Sequence, residues 1–172
     1  MDIRGVCRYS LPEQRVELLA GVCERAAAHE LRVTVEFLPW SPIPNLTAAV
    51  NLVKTVGANM GVNIDTWHHC RSGGTVQQLA EVDPNLIAAV QLNDVAAEPW
   101  DNLLEETAVG RLLPGAGRSD SVAVLKALHG AGVTAAINVE VFSGELMSLP
   151  AEEAAQKMAD SMRTVFAHAA AS

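Results

Sequence analysis

Cysteine, aromatic side chains and positive charge are all scarce in this 172-residue chain. The three cysteines (Cys7, Cys23 and Cys70) are odd in number and lack C-x-x-C spacing, which argues against a disulfide framework. They read as free thiols in a reducing, cytoplasmic setting. Twelve Lys and Arg stand against 20 Asp and Glu, a net charge of -8, so no basic footprint exists for nucleic acid. No apolar run approaches the roughly 18 residues of a transmembrane span, and no membrane partner is expected. The opening MDIRGVCRYS has no apolar stretch of secretory length, so no signal peptide is expected. What is present is 49% hydrophobic, too apolar for disorder. The length suits a single domain over residues 1–172 with a real core.

Helical and strand patterns alternate. Residues 11–30 place Val16, Leu19, Cys23 and Ala26 on one side at helical spacing. RVTVEF (32–37) is short and β-branched, a strand. After the proline-broken SPIPN comes a helix from residue 46, with Asn45 as cap and Gly57 near its end. GVNID (61–65) reads as a strand, HHCRSGG as a glycine-rich loop, TVQQLAEV as a short helix and LIAAVQL (86–92) as a strand. Residues 93–118 read as a long irregular segment, the kind usually kept for function or motion. A helix capped by Ser119 or Ser121 follows, then the strand TAAINVEVF (134–142) and a long Ala-rich helix from Pro150. Near-continuous apolar strands between helices predict an α/β fold with a parallel sheet. The sheet is either open and doubly wound or part of a (β/α)8 barrel.

Each strand carries one polar interruption near its C-terminal end: Glu36, Asp65, Gln91 and Glu140. In parallel α/β folds those ends share one face, where ligands and chemistry are placed. Unpaired carboxylates buried there cost several kcal/mol and repel one another, and a divalent cation resolves both problems. Other constellations carry less. The adjacent His68, His69 and Cys70 cannot converge on one zinc at normal ligand spacing. Trp40 and Trp67 flank the rim positions, as an apolar wall or as core, and Arg71 reads as a solvated arginine.

VEFLP, NIDTWH, VQLND, RLLPGAG and INVEVFS together resemble the xylose isomerase-like barrel superfamily over about residues 11–165. That superfamily includes sugar isomerases, ketose 3-epimerases, inosose dehydratases and 3-dehydroshikimate dehydratases. The resemblance implies that Glu36, Asp65, Gln91 and Glu140 are metal ligands. It makes His68 a substrate-contacting residue and candidate acid, and Arg111 a partner for substrate hydroxyls or carboxylate. Gln91 stands where many members carry His, which looks more like the dehydratase-type branches. An all-oxygen site favours Mn2+ or Mg2+, with Zn2+ or Co2+ as alternatives. Ala116 replaces the glutamate of the frequent PGEG.

The implied activity is isomerisation, epimerisation or dehydration of a small sugar or cyclic polyol ketone. Glu140 or Glu36 takes a proton to give a metal-stabilised ene-diolate. A complete barrel needs about 250 residues, so the expected architecture is about half of one, matching the C-terminal half. A homo-oligomer or a missing N-terminal half then completes it, or the chain is an open α/β domain that tolerates its edges. The alternative is an inactive half-barrel that binds metal or sugar, or assembles with a partner chain.

Overall fold

A computed structural model describes residues 12–57 and 59–171. Cys7, the opening MDIRGVCRYS and Leu11 lie outside the described residues. The chain begins with α1 (Pro12–Ala27), β1 (Val33–Glu36), α2 (Leu46–Val56) and β2 (Met60–Asp65). Then follow α3 (Thr66–Arg71), α4 (Val76–Ala80), β3 (Ile87–Leu92), α5 (Leu103–Val109) and α6 (Ser121–Gly130). β4 (Ala136–Val139), α7 (Gly144–Met147) and α8 (Ala151–Ala170) complete it.

The four strands are all parallel and ordered β1-β2-β3-β4. A doubly wound sheet would reverse its strand order at a switch point, and this one does not. Right-handed crossovers in unbroken order put the packed helices α1, α2, α4, α6 and α8 on one face, which is barrel-type winding. The helix-covered face is apolar: Val62, Ile64, Val90 and Leu92 are fully buried, with Val35 and Ile137 packed against them.

The opposite face is small and polar. Register aligns Thr34 with Gly61, Glu36 with Asn63, Asp65 with Gln91, and Gln91 with Asn138. The strands therefore alternate in side-chain character and are not uniformly apolar, because only one face meets helices. The result is a four-stranded segment of a barrel whose polar inner face leads up to the acidic strand ends. β1 and β4 are its edges.

Asn45 caps α2 as expected, its Oδ1 accepting from Ala48 N at 3.0 Å, and Gly57 ends that helix at φ 93°. Three readings change. Residues 66–71 are helix α3 instead of loop, because Asp65 supplies the cap, accepting from His68 N at 3.0 Å. The irregular segment contains α5, capped by Asn102. The cap of α6 is Asp120 and neither serine, with its carboxylate on Ala123 N. Among the described residues, no helix is long and apolar enough to cross a membrane.

Candidate metal and substrate site

Asp65 is both the last residue of β2 and the cap of α3. The chain passes from strand to helix without a loop, which swings His68 over the sheet's C-terminal rim. Asp65 is fully buried; Oδ1 takes the His68 N–H, and Oδ2 accepts from Asn93 Nδ2 at 2.9 Å and Arg111 Nη1 at 2.8 Å. Burial raises its pKa, and the Arg111 guanidinium opposes that rise.

Side-chain hydrogen bonds cross all four strands. Asn63 Nδ2 donates to Glu36 Oε1 at 3.3 Å and to Gln91 Oε1, and Gln91 Nε2 donates to Glu140 Oε1 at 2.8 Å. Glu140, just past β4, also receives Arg111 Nη1 on Oε2 at 3.1 Å. All four predicted ligand positions therefore lie in one connected network on one rim. Glu36 is the least satisfied of its three carboxylates. Desolvation, then the charges of Asp65 and Glu140, raise its pKa to about 7.

The groups that could hold an ion converge differently from the expected set. One ligand atom each from Glu36, Asp65 and His68 lie within 4.8 Å of one another. Gln91 lies beside them on the rim, its Oε1 accepting from Asn63 and its Nε2 donating to Glu140. His68 is buried, with Nδ1 unpartnered and Nε2 3.3 Å from Arg111 Nη2. Burial, reinforced by the Arg111 charge, lowers its pKa to about 3, so the ring is neutral at pH 7 and keeps a lone pair. Two hard carboxylates and a neutral imidazole suit a divalent cation. Three carboxylates facing one guanidinium also leave a charge deficit that such an ion would relieve.

Arg111 is only 3% exposed. Thr107 grips it through Oγ1 at 2.8 Å from Nη2 and through its carbonyl at 3.1 Å from Nε. Its guanidinium lies 5.7 Å from the Trp67 ring and 5.1 Å from Phe142. Trp67 is core, whereas Trp40 and Phe142 are partly exposed and wall a cavity of about 330 Å³ above His68 and Arg111. His69 turns away, its Nε2–H donating to Thr75 O at 3.0 Å, so successive helix residues diverge as expected.

Sequence reasoning missed Asn63 and Asn93. Both lie two residues from a flagged position, Asp65 or Gln91, so the strand period of two was the available signal. It also missed Asp94, fully buried, which accepts from Ser119 N at 2.8 Å, Ser119 Oγ at 2.7 Å and Gly115 N at 3.0 Å. That carboxylate holds the PGAGRS loop; a Cβ on Gly117 would fall 2.2 Å from Val95 O. Arg71 is not solvated: it is buried against Glu106, with Nε to Oε1 at 2.9 Å.

The chain is 27% identical over 154 residues to an inosose isomerase of Bacillus subtilis (strain 168), covering 88% of this chain and 54% of that protein. It is 29% identical over 134 residues to a 3-dehydroshikimate dehydratase of Pseudomonas aeruginosa, covering 77% of this chain and 21% of that protein. The solved structure of the IOLI protein with a bound zinc atom superposes with a TM-score of 0.80 at 26% identity, covering 92% of this chain and 59% of that one. The chain thus spans about half the length of the isomerases it matches. The family model described as xylose isomerase-like TIM barrel matches residues 13–165, the stretch that carries every strand and every rim carboxylate. On that match, the chain belongs to the xylose isomerase-like TIM barrel family.

Proposed function

We propose that this chain carries the acidic half of a divalent-metal-dependent active site that isomerises, epimerises or dehydrates a small polyhydroxy ketone or sugar. One observation carries the reading: Glu36, Asp65 and Glu140 lie on one rim at the ends of parallel strands, joined by hydrogen bonds through Asn63, Gln91 and Arg111. The similarity to an inosose isomerase and to a 3-dehydroshikimate dehydratase supports the reaction class.

Glu36 and Asp65 would hold the ion, with His68, Gln91 and Glu140 as the remaining donors on that rim. When bound, the ion supplies Lewis-acid polarisation of the substrate carbonyl. Glu36, at the end of the first edge strand, takes the proton from the carbon beside that carbonyl. Glu140, past the opposite edge strand, returns a proton. Delivery to the other face gives epimerisation, and delivery to the neighbouring carbon gives isomerisation. Loss of a β-hydroxyl as water, with the proton that Glu36 took passing to the departing oxygen, gives dehydration, and the neutral His68 hydrogen-bonds to that oxygen. The partly exposed Trp40 and Phe142 would offer the substrate carbons an apolar wall.

The open edges of β1 and β4, and an apolar cavity of about 270 Å³ beside β4 lined by Ile137 and Phe166, support completion of the barrel before turnover. A second copy or an N-terminal half would supply the further β/α units. The test is turnover of inososes, ketoses and 3-dehydroshikimate with and without EDTA. Glu36→Gln and Glu140→Gln should each lower kcat about 100-fold or more while sparing the fold. Near-wild-type activity in Glu140→Gln, or EDTA-insensitive turnover, overturns the reading.

A further inference from the structure

Every N–H of the Arg111 guanidinium is already engaged inside the protein. Nε donates to Thr107 O at 3.1 Å, and Nη1 donates to Asp65 Oδ2 at 2.8 Å and Glu140 Oε2 at 3.1 Å. Nη2 donates to Thr107 Oγ1 at 2.8 Å and faces His68 Nε2 at 3.3 Å. A guanidinium has five N–H donors, so none is left for a ligand. Arg71 is likewise committed, to Glu106 and to the carbonyl of Ala96. His68 is uncharged at neutral pH. Among the described residues, the rest of the cavity above Arg111 is lined by apolar side chains and Thr107. Acceptors, by contrast, are in surplus on the rim. Glu36 takes one hydrogen bond there, from Asn63 Nδ2 at 3.3 Å, which leaves its carboxylate able to accept more.

We propose that this site selects uncharged polyhydroxy ketones and discriminates against ketones that carry a carboxylate or a phosphate. This rests on the reading above and narrows its substrates to one charge class. Three carboxylates against one guanidinium leave an excess of negative charge that a single divalent cation cancels, with no positive charge left over for an anionic substrate. The chain's net charge of -8 works in the same direction. Hydrogen bonding agrees with the charge. An ionised carboxylate or phosphate brings acceptors to a rim whose donors are taken, whereas polyol hydroxyls bring the donors that Glu36 can receive. Trp40 and Phe142 add apolar surface for the C–H face of such a substrate. Arg111 is thus the partner of Asp65 and Glu140 and not the receptor for a substrate carboxylate. Acidic ring ketones such as 3-dehydroshikimate fall outside the class, while dehydration of a neutral ketone stays within it.

The test is isothermal titration of the full chain, in saturating Mn2+, with an inosose, with 3-dehydroshikimate and with the methyl ester of 3-dehydroshikimate. Acid and ester differ by one charge, and the ester is the larger, so steric fit alone would favour the acid. The expected result is a Kd for the acid about tenfold or more above that of the ester, with the inosose on the ester's side of the gap. Ala108 is an exposed residue of the cavity lining, and Ala108→Lys places a cation there without disturbing the core. That variant should bind the acid about threefold tighter or better and leave the ester within about twofold of wild type. Acid bound as tightly as ester in wild type, or a gain in Ala108→Lys no larger for the acid than for the ester, overturns the proposal while the metal-dependent reading survives. EDTA-insensitive turnover of the inosose with the gap intact overturns the metal-dependent reading alone. If none of the three probes binds, both fail.

Discussion

The carboxylate of Asp65 accepts the backbone N–H of His68, three residues on, at 3.0 Å. One side chain therefore closes β2, starts α3 and fixes the imidazole over the rim. Its other oxygen holds Asn93 and Arg111. Asp65→Ala removes the cap and leaves the buried Arg111 short of one anion, with an expected cost of about 3–5 kcal/mol. Asp65→Asn keeps an oxygen on the His68 N–H and should cost clearly less. Urea unfolding of the two variants checks this, and equal costs would show that the cap contributes nothing.

Glu36 gives the site a pH dependence of definite sign. Its pKa is raised from 4.5 to about 7, so between those values the folded state holds a proton that the unfolded chain has released. This contribution to stability is present at low pH and is lost as pH rises through 7. His68, lowered from 6.5 to about 3, works in the opposite sense, losing stability as pH falls below 6.5. The two overlap, so the comparison with Glu36→Gln isolates the carboxylate. After discounting for partial exposure, that variant should gain about 1–2 kcal/mol over wild type near pH 8 and little near pH 4. Unfolding free energies across that range measure the difference, and a pH-independent offset would contradict it.

The strands and the acidic rim were legible because each polar residue interrupts a short apolar run. In a parallel sheet those interruptions stack on one face. Glu36, Asp65, Gln91 and Glu140 do stand on one hydrogen-bonded rim. What local sequence does not carry is which partner a polar group finds. Arg71 looks solvated in a glycine-rich stretch, yet Glu106, 35 residues away, buries it. The helix over 66–71 was hidden because its cap is also the strand's last residue. The partner of Gln91's amide nitrogen, Glu140, is set by packing across strands 49 residues apart in sequence.

The Arg71–Glu106 pair gives a stability prediction independent of the rim. Glu106 Oε2 also accepts from Trp100 N at 3.0 Å, so the pair ties α3 to α5 and the loop before it. Arg71→Met leaves Glu106 buried without its cation, at an expected cost of about 3–5 kcal/mol. Adding Glu106→Gln keeps an acceptor for Trp100 and removes the stranded charge, so the double variant should recover much of the loss. A double-mutant cycle in urea reads the coupling, and additive costs would mean the pair contributes no coupling.

Gln91 separates two acidic groups through its amide. Its nitrogen donates to Glu140 while its oxygen accepts from Asn63, which itself donates to Glu36. Gln91→Glu is nearly isosteric but replaces the donor facing Glu140 with a second carboxylate. Two like charges at hydrogen-bond distance cannot both ionise cheaply, so one pKa of the pair must rise. At low pH the shared proton restores the hydrogen bond and the variant should approach wild type. As pH rises through the elevated pKa that proton is lost, and Gln91→Glu should fall about 1–3 kcal/mol below wild type. Saturating Mn2+ should reverse part of that loss, because an added carboxylate beside Glu140 strengthens any cation site on this rim. Unfolding curves near pH 5 and pH 8, with and without Mn2+, test both parts. A Gln91→Glu protein equally stable at both pH values would show that the side chain turns away from Glu140.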